Sequence, residues 1–176
     1  QQQPGRSGQE IGKILAIGNK EAQRQAFLRM GFSDDCYCDG RKQDVGRWIR
    51  ERTDGLGTDV FFECVGRNET VLQAVDYTAP AGRLMLMGNP YTDMRFEKAV
   101  YWKILRNQLT VLGTWNSSFT HDADDDWHDI LDRLSEQKIV PENFITHTYP
   151  LAELETGLRI MRDKTEDYVK IMGIFE

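Results

Sequence analysis

Two apolar runs, Asp59 to Gly66 (DVFFECVG) and Arg83 to Pro90 (RLMLMGNP), each halt on a glycine and are separated by one helix length of chain, Asn68 to Ala79. A near-continuous apolar strand is the mark of a strand buried on both faces, and a helical crossover makes the two strands parallel. In open α/β sheets, ligands bind at the carboxyl ends of such strands. A glycine at that end lets a ligand come close to the backbone. The pattern predicts a nucleotide-type site on a doubly wound parallel α/β sheet.

The rest of the chain keeps the same alternation. Lys13 to Ile17 predicts a short buried strand stopping at Gly18, and Lys20 to Met30 a helix closed by Gly31. Asp35 to Cys38 suits a strand and Gln43 to Thr53 an amphipathic helix. Beyond Pro90 the spacing predicts a helix over Lys98–Gln108, a strand over Leu109–Thr114 and a long helix over Asp122–Gln137. An extended Phe144–His147, a helix over Leu151–Arg162 and a strand over Tyr168–Phe175 complete it. Strands alternating with helices at this pitch read as a parallel α/β sheet.

A chain of 176 residues is long enough for one proper core. A formal charge of -6 argues against nucleic-acid or anionic-membrane partners, and no stretch approaches the ~20 apolar residues of a membrane span. Residues 1–12 read as an unstructured leader without the apolar core of a secretory signal. Three cysteines, Cys36, Cys38 and Cys64, are too few and too irregular for a disulfide framework, so a cytoplasmic protein is expected. Cys64 reads as a small buried hydrophobe.

Three successive strand ends offer candidate ligand contacts: Cys64, Val65 and Gly66; Met87, Gly88 and Asn89; and Thr114, Trp115 and Asn116. One such glycine can simply end a strand, but three ends at one sheet edge favour a ligand. Gly18 closes the earliest strand, where dinucleotide folds usually carry an acid for the ribose hydroxyls. Lys20 and Arg24 beside it either admit a 2′-phosphate or belong to a solvated first helical turn. The Gly-x-Gly-x-x-Gly fingerprint is absent, since Gly5, Gly8 and Gly12 have the wrong spacing and no strand before them. The run His121 to His128 looks metal-like, but acids gather at helix N-termini for electrostatic reasons, with Thr120 or Asp122 as cap. No metal site is assigned there, His147 reads as structural, and no catalytic residue is visible.

Gly55–Gly66, Pro80–Pro90 and Tyr101–Phe119 together resemble the coenzyme-binding half of the zinc-type medium-chain alcohol dehydrogenases. Within that group Lys103–Trp127 is most similar to galactitol-1-phosphate 5-dehydrogenases and their polyol dehydrogenase relatives. The resemblance implies a Rossmann-like domain over residues 13–143 and a return segment over 144–176. It implies NAD or NADP as coenzyme, with zinc held by ligands outside this chain. Carried over by position, Gly18 stands at the acidic ribose-binding position and puts strict NAD preference in doubt. Lys20 stands beside it. Cys64, Val65, Gly66, Met87, Gly88, Asn89, Trp115 and Asn116 fall on coenzyme-lining positions. Lys170 falls either on a basic residue set against the pyrophosphate or on an ordinary edge-strand lysine.

Missing from the pattern are the first strand of the dinucleotide fold, its glycine loop, and the zinc-bearing catalytic domain. In the strand order 3-2-1-4-5-6 the first strand is central, so strands two and four are expected to show open edges and apolar faces. The sheet is then incomplete, the chain is expected to be less stable than an intact domain or to close the gap by shifting its N-terminal half, and its own coenzyme affinity is expected to be weak or absent. The implied activity of the intact protein is hydride transfer between NAD(P) and a polyol or sugar-phosphate secondary alcohol, in a homo-oligomer joined near Leu109–Thr114. A zinc-free quinone or enoyl reductase of the same superfamily, and a non-catalytic module, remain alternatives.

Overall fold

A computed structural model describes residues 12–115, 117, 121 and 125–175. The element order is β1 (Ala16–Gly18), α1 (Glu21–Arg29), β2 (Tyr37–Asp39), α2 (Val45–Arg52), β3 (Thr58–Glu63), α3 (Asn68–Tyr77), β4 (Thr78–Leu86), α4 (Lys98–Arg106), β5 (Thr110–Gly113), α5 (Asp126–Ser135), β6 (Ile145–Pro150), α6 (Leu154–Asp163) and β7 (Lys170–Ile174). Every strand pair is parallel, as the helical crossovers demand. The strands form three sheets in the orders β1-β2, β3-β4-β5 and β6-β7. The first two reproduce the 3-2 and 4-5-6 portions of a Rossmann order. Among the described residues no strand pairs with the other edge of β1 or of β3.

The chain divides into two compact units. One spans Asp44–Val140, and the other combines the described residues up to Gln43 with those from Pro141. In the first, Ala74 and Val75 of α3 and Leu84 of β4 form a fully buried cluster, with Phe61, Leu86, Val100, Ile104 and Leu109 packed around it. Helices α3 and α4 therefore cover one face of the β3-β4-β5 sheet. β3, the fourth strand of the dinucleotide order, is not buried on both faces but shows the open edge and apolar face expected where its central neighbour is missing. Its residues alternate across the pleat, and on the opposite side Val60 is 43% and Phe62 58% exposed, since no described element covers them. The opening strand is thus a half-covered one.

Local chemistry sets the boundaries. Asp44 caps α2, its carboxylate accepting from the Arg47 N–H at 2.8 Å. The Thr78 hydroxyl donates to the Ala74 carbonyl at 2.7 Å as α3 passes directly into β4. That strand begins earlier than the apolar run, taking in Pro80 and Ala81, with a register shift between Thr58 and Val60. Ala81 adopts φ +60° and its N–H reaches the Asn107 carbonyl at 2.7 Å.

In the second unit Phe27 stacks on Phe32 at 4.5 Å and lies beside the buried Tyr37. Cys38 is wholly buried. Helix α6 runs close to the β6-β7 pair at Gly157, where a methyl group would stand 2.7 Å from the Ile171 side chain.

Candidate functional site

The carboxyl ends of β3, β4 and β5 are stapled to one another through backbone groups. The Glu63 carbonyl accepts from the Met87 N–H at 2.9 Å and the Gly88 N–H at 3.0 Å. The Leu86 carbonyl accepts from the Thr114 N–H at 3.1 Å, and the Gly66 carbonyl from the Tyr91 N–H at 3.0 Å. The three strand ends singled out from the sequence thus converge on one edge, in one unit.

Their organising residue is one that sequence reasoning passed over. Glu63 ends β3 and is 2% exposed. Its carboxylate accepts from the Val65 N–H at 2.9 Å, from the Gly66 N–H at 3.0 Å and from the Thr70 hydroxyl at 2.7 Å. The Thr70 oxygen in turn accepts from the Arg67 N–H at 3.2 Å, satisfying an amide at the start of α3. A buried acid survives only with such partners. The available signal was a carboxylate closing an apolar strand, with a glycine three residues on and a threonine seven residues on.

The glycines serve a purpose different from the one the strand pattern indicated. Gly66 has φ +78°, and a side chain there would run into the Asn89 carbonyl. At Gly88 an added methyl would meet the Gly66 amide and lie 2.7 Å from Glu63 Oε2. Two strand-end turns close on each other at these glycines. The contact they permit is backbone to backbone.

The surface left for a ligand lies beyond that seam. Met87, Asn89, Thr114 and Trp115 line an open cleft of about 540 Å³, whose far side is formed by Asp126, Asp129 and Ile130 of α5. Met87, at 49% exposure, and Trp115, at 74%, offer broad apolar surface. Asn89 and Thr114 add neutral polar groups, and Asp126 and Asp129 add carboxylates. Asn116 lies outside the described residues.

Cys64 is exposed, which corrects its reading as a buried hydrophobe: β3 ends at Glu63, and Cys64 begins the turn. Its thiol is nevertheless held above the ordinary thiol value, first by local desolvation and then by the Glu63 carboxylate. That is the reverse of an activated nucleophile. The start of α5 is also corrected. Its cap is Asp125, whose carboxylate accepts from the His128 N–H at 2.9 Å and meets His128 Nδ1 at 2.7 Å. Thr120 and Asp122 lie outside the described residues. Among the described residues no group of three His, Cys, Asp or Glu side chains is placed to hold a metal ion.

Gly18, Lys20 and Lys170 belong to the other unit. Gly18 closes β1 opposite Asp39 of β2. Lys20 Nζ is ion-paired with Asp167 at 3.0 Å and stands 6.0 Å from the centre of the Tyr168 ring. Arg24 binds Asp34 at 2.6 Å and Glu21 at 2.8 Å. Lys170 opens β7, exposed, with its carbonyl accepting from the Thr146 hydroxyl at 3.1 Å.

This arrangement of parallel strands has clear relatives. The profile of the zinc-binding dehydrogenases matches residues 8–136. The chain belongs to that family. It is 24% identical to the sorbitol dehydrogenase of Halalkalibacterium halodurans over 90% of this chain and 43% of that one. It is 32% identical to the galactitol 1-phosphate 5-dehydrogenase of Escherichia coli K12 over 50% of this chain and 25% of that one. The chain thus spans less than half the length of these curated relatives. A zinc-binding dehydrogenase from Sinorhizobium meliloti, solved bound to NADP, superposes with a TM-score of 0.75 at 22% identity, over 93% of this chain and 45% of that one. The incomplete Rossmann-like sheet expected from the sequence is therefore the fold observed. Among the described residues no helix is long and apolar enough to cross a membrane.

Proposed function

We propose that the Asp44–Val140 unit provides the nicotinamide-side wall of an NAD- or NADP-dependent dehydrogenase whose substrate is a polyol or sugar-phosphate secondary alcohol. The observation that carries this reading is the stapling of three strand ends into one rigid rim beside the Met87–Trp115 cleft. Ligands of open α/β sheets occupy that edge. The polyol and sugar-phosphate substrates come from the likeness to the sorbitol and galactitol 1-phosphate enzymes.

The cleft fits a nicotinamide ring: Met87, Trp115 and Ile130 supply apolar surface, while Asn89 and Thr114 offer partners to its carboxamide. When bound, the nicotinamide takes up or releases a hydride. The chain's own part is to orient the ring and to shield one of its faces from water. Glu63 keeps that rim in place without touching the ligand. Zinc does not fit the described residues, and no reaction step is assigned through it.

Titration with nicotinamide mononucleotide, followed by amide resonances, is the direct test. Shifts are expected at Gly88, Asn89, Thr114 and Trp115, with Trp115→Ala weakening binding about five- to tenfold through lost aromatic surface. Shifts scattered away from the three strand ends would overturn the reading. A cytoplasmic enzyme is part of the same proposal.

The proposed homo-oligomer forms through β5, which is the edge strand of its sheet and presents Val111 and Leu112 at 40% and 42% exposure. Open edges of this kind invite pairing with a second copy. Sedimentation is expected to show a dimer that a proline at Val111, whose N–H faces away from β4, dissociates. A monomer at all concentrations would rule out this interface.

A further inference from the structure

The position that closes β1, where dinucleotide folds set a carboxylate against the adenosine ribose, carries no charge of its own in this chain. Gly18 is enclosed by two neutral polar groups. A methyl group built on it would overlap the Tyr37 hydroxyl and stand 2.8 Å from Gln23 Oε1. Both groups are held in place. The Tyr37 hydroxyl donates to the Lys20 carbonyl at 3.2 Å, and Gln23 Oε1 accepts from the Asn19 N–H at 3.0 Å. Tyr37 is 7% exposed, and burial, followed by the Asp39 carboxylate, raises its phenol above the ordinary value.

The charges around this corner cancel. Lys20 faces Asp167, Arg24 faces Asp34 and Glu21, and Asp39 takes Arg41 at 2.9 Å and Lys42 at 3.4 Å. Such exposed pairs contribute little stability, but they fix the local field. A 2′-phosphate that recruited Lys20 would leave the Asp167 carboxylate beside two negative oxygens. A coenzyme without that phosphate meets no carboxylate at Gly18 to reward its 2′-hydroxyl. Neither form gains the decisive charge contact that separates NAD from NADP sites.

We infer that Tyr37 and Gln23 replace the ribose carboxylate in this chain and hold its preference between the NAD and NADP adenosine moieties near parity. The inference rests on the coenzyme reading above and sharpens it to one corner. The Tyr37 oxygen accepts from a 2′-hydroxyl, and the Gln23 amide nitrogen donates to a hydroxyl or phosphate oxygen alike. The pair therefore recognises the ribose without selecting its substituent.

The test is a paired titration of the chain with 5′-AMP and with adenosine 2′,5′-bisphosphate, read at the amides of Gly18, Gln23 and Tyr37. Both ligands are expected to shift these resonances, with dissociation constants within about tenfold of each other. A larger ratio in either direction overturns the inference. The double variant Gly18→Asp with Tyr37→Ala makes room for the carboxylate and is expected to favour 5′-AMP by at least about tenfold over the starting ratio. An unchanged ratio in that folded variant counts equally against it. If neither adenosine ligand binds while nicotinamide mononucleotide still shifts the strand ends, the inference fails and the coenzyme reading stands. If neither half binds, the reading fails with it.

Discussion

Glu63→Ala is expected to lower the unfolding free energy by about 3–5 kcal/mol, among the largest losses available to a single substitution in this chain. The substitution strands the Val65 and Gly66 N–H groups, which point at a carboxylate that is 2% exposed, while the Thr70 hydroxyl keeps the Arg67 carbonyl as an acceptor at 2.9 Å. Each buried donor left without an acceptor costs about 1–3 kcal/mol, and alanine also opens a cavity water can only partly fill. The midpoint of urea unfolding should drop with little change in its slope. Glu63→Gln retains one acceptor oxygen and should lose roughly half as much, because its amide NH₂ then faces another N–H. A loss under about 1 kcal/mol for the alanine variant would show that the three strand ends are held by their backbone bonds alone.

Gly66→Ala is expected to cost about 3–5 kcal/mol, the sum of a left-handed backbone penalty and a steric conflict. The residue sits at φ +78°, and the new methyl would be driven into the Asn89 carbonyl, a backbone group that cannot rotate away. Relief requires the β3 and β4 strand-end turns to separate, which breaks the Glu63 contacts on the same seam. Gly31→Ala is the control. It has φ +87° with open space around it, so only the backbone penalty of about 1 kcal/mol applies. Equal losses at the two sites would remove the steric part of the argument. Chemical denaturation of both variants, side by side, decides it.

The crossover from β3 through α3 to β4 was readable from periodicity alone, because eight- to ten-residue segments with apolar spacing leave few alternatives. Gly66 and Gly88 were recognisable as strand-end residues for the same reason. Their physical purpose was not. A sequence shows that a glycine is required, but not whether it makes room for a ligand or for another turn of the same chain. Cys64 was misplaced because one residue separates the last buried position of a strand from the first exposed position of a turn. The start of α5 was misjudged because five aspartates between Asp122 and Asp129 offer several equivalent caps, and only the backbone path selects Asp125.

Longer-range pairing was beyond any local reading. Lys20 and Asp167 meet across 147 positions of sequence, which turns an apparently available phosphate ligand into half of an ion pair. Tyr37 reaches Gly18 from the neighbouring strand, nineteen positions along the chain, and fills a space that composition leaves blank.

The sequence by itself determined that parallel strands alternate with helices, that glycines follow β3 and β4 within three residues, and that the ribose position lacks its acid. These follow from period, length and residue type, which act over a few neighbouring positions. Only the tertiary structure decided that Glu63 is the buried clamp of the three strand ends, that Gly66 and Gly88 close on each other, and that neutral side chains lie against Gly18. Those outcomes depend on which distant atoms come within hydrogen-bond or van der Waals range, and that distance is set by the packing of whole elements.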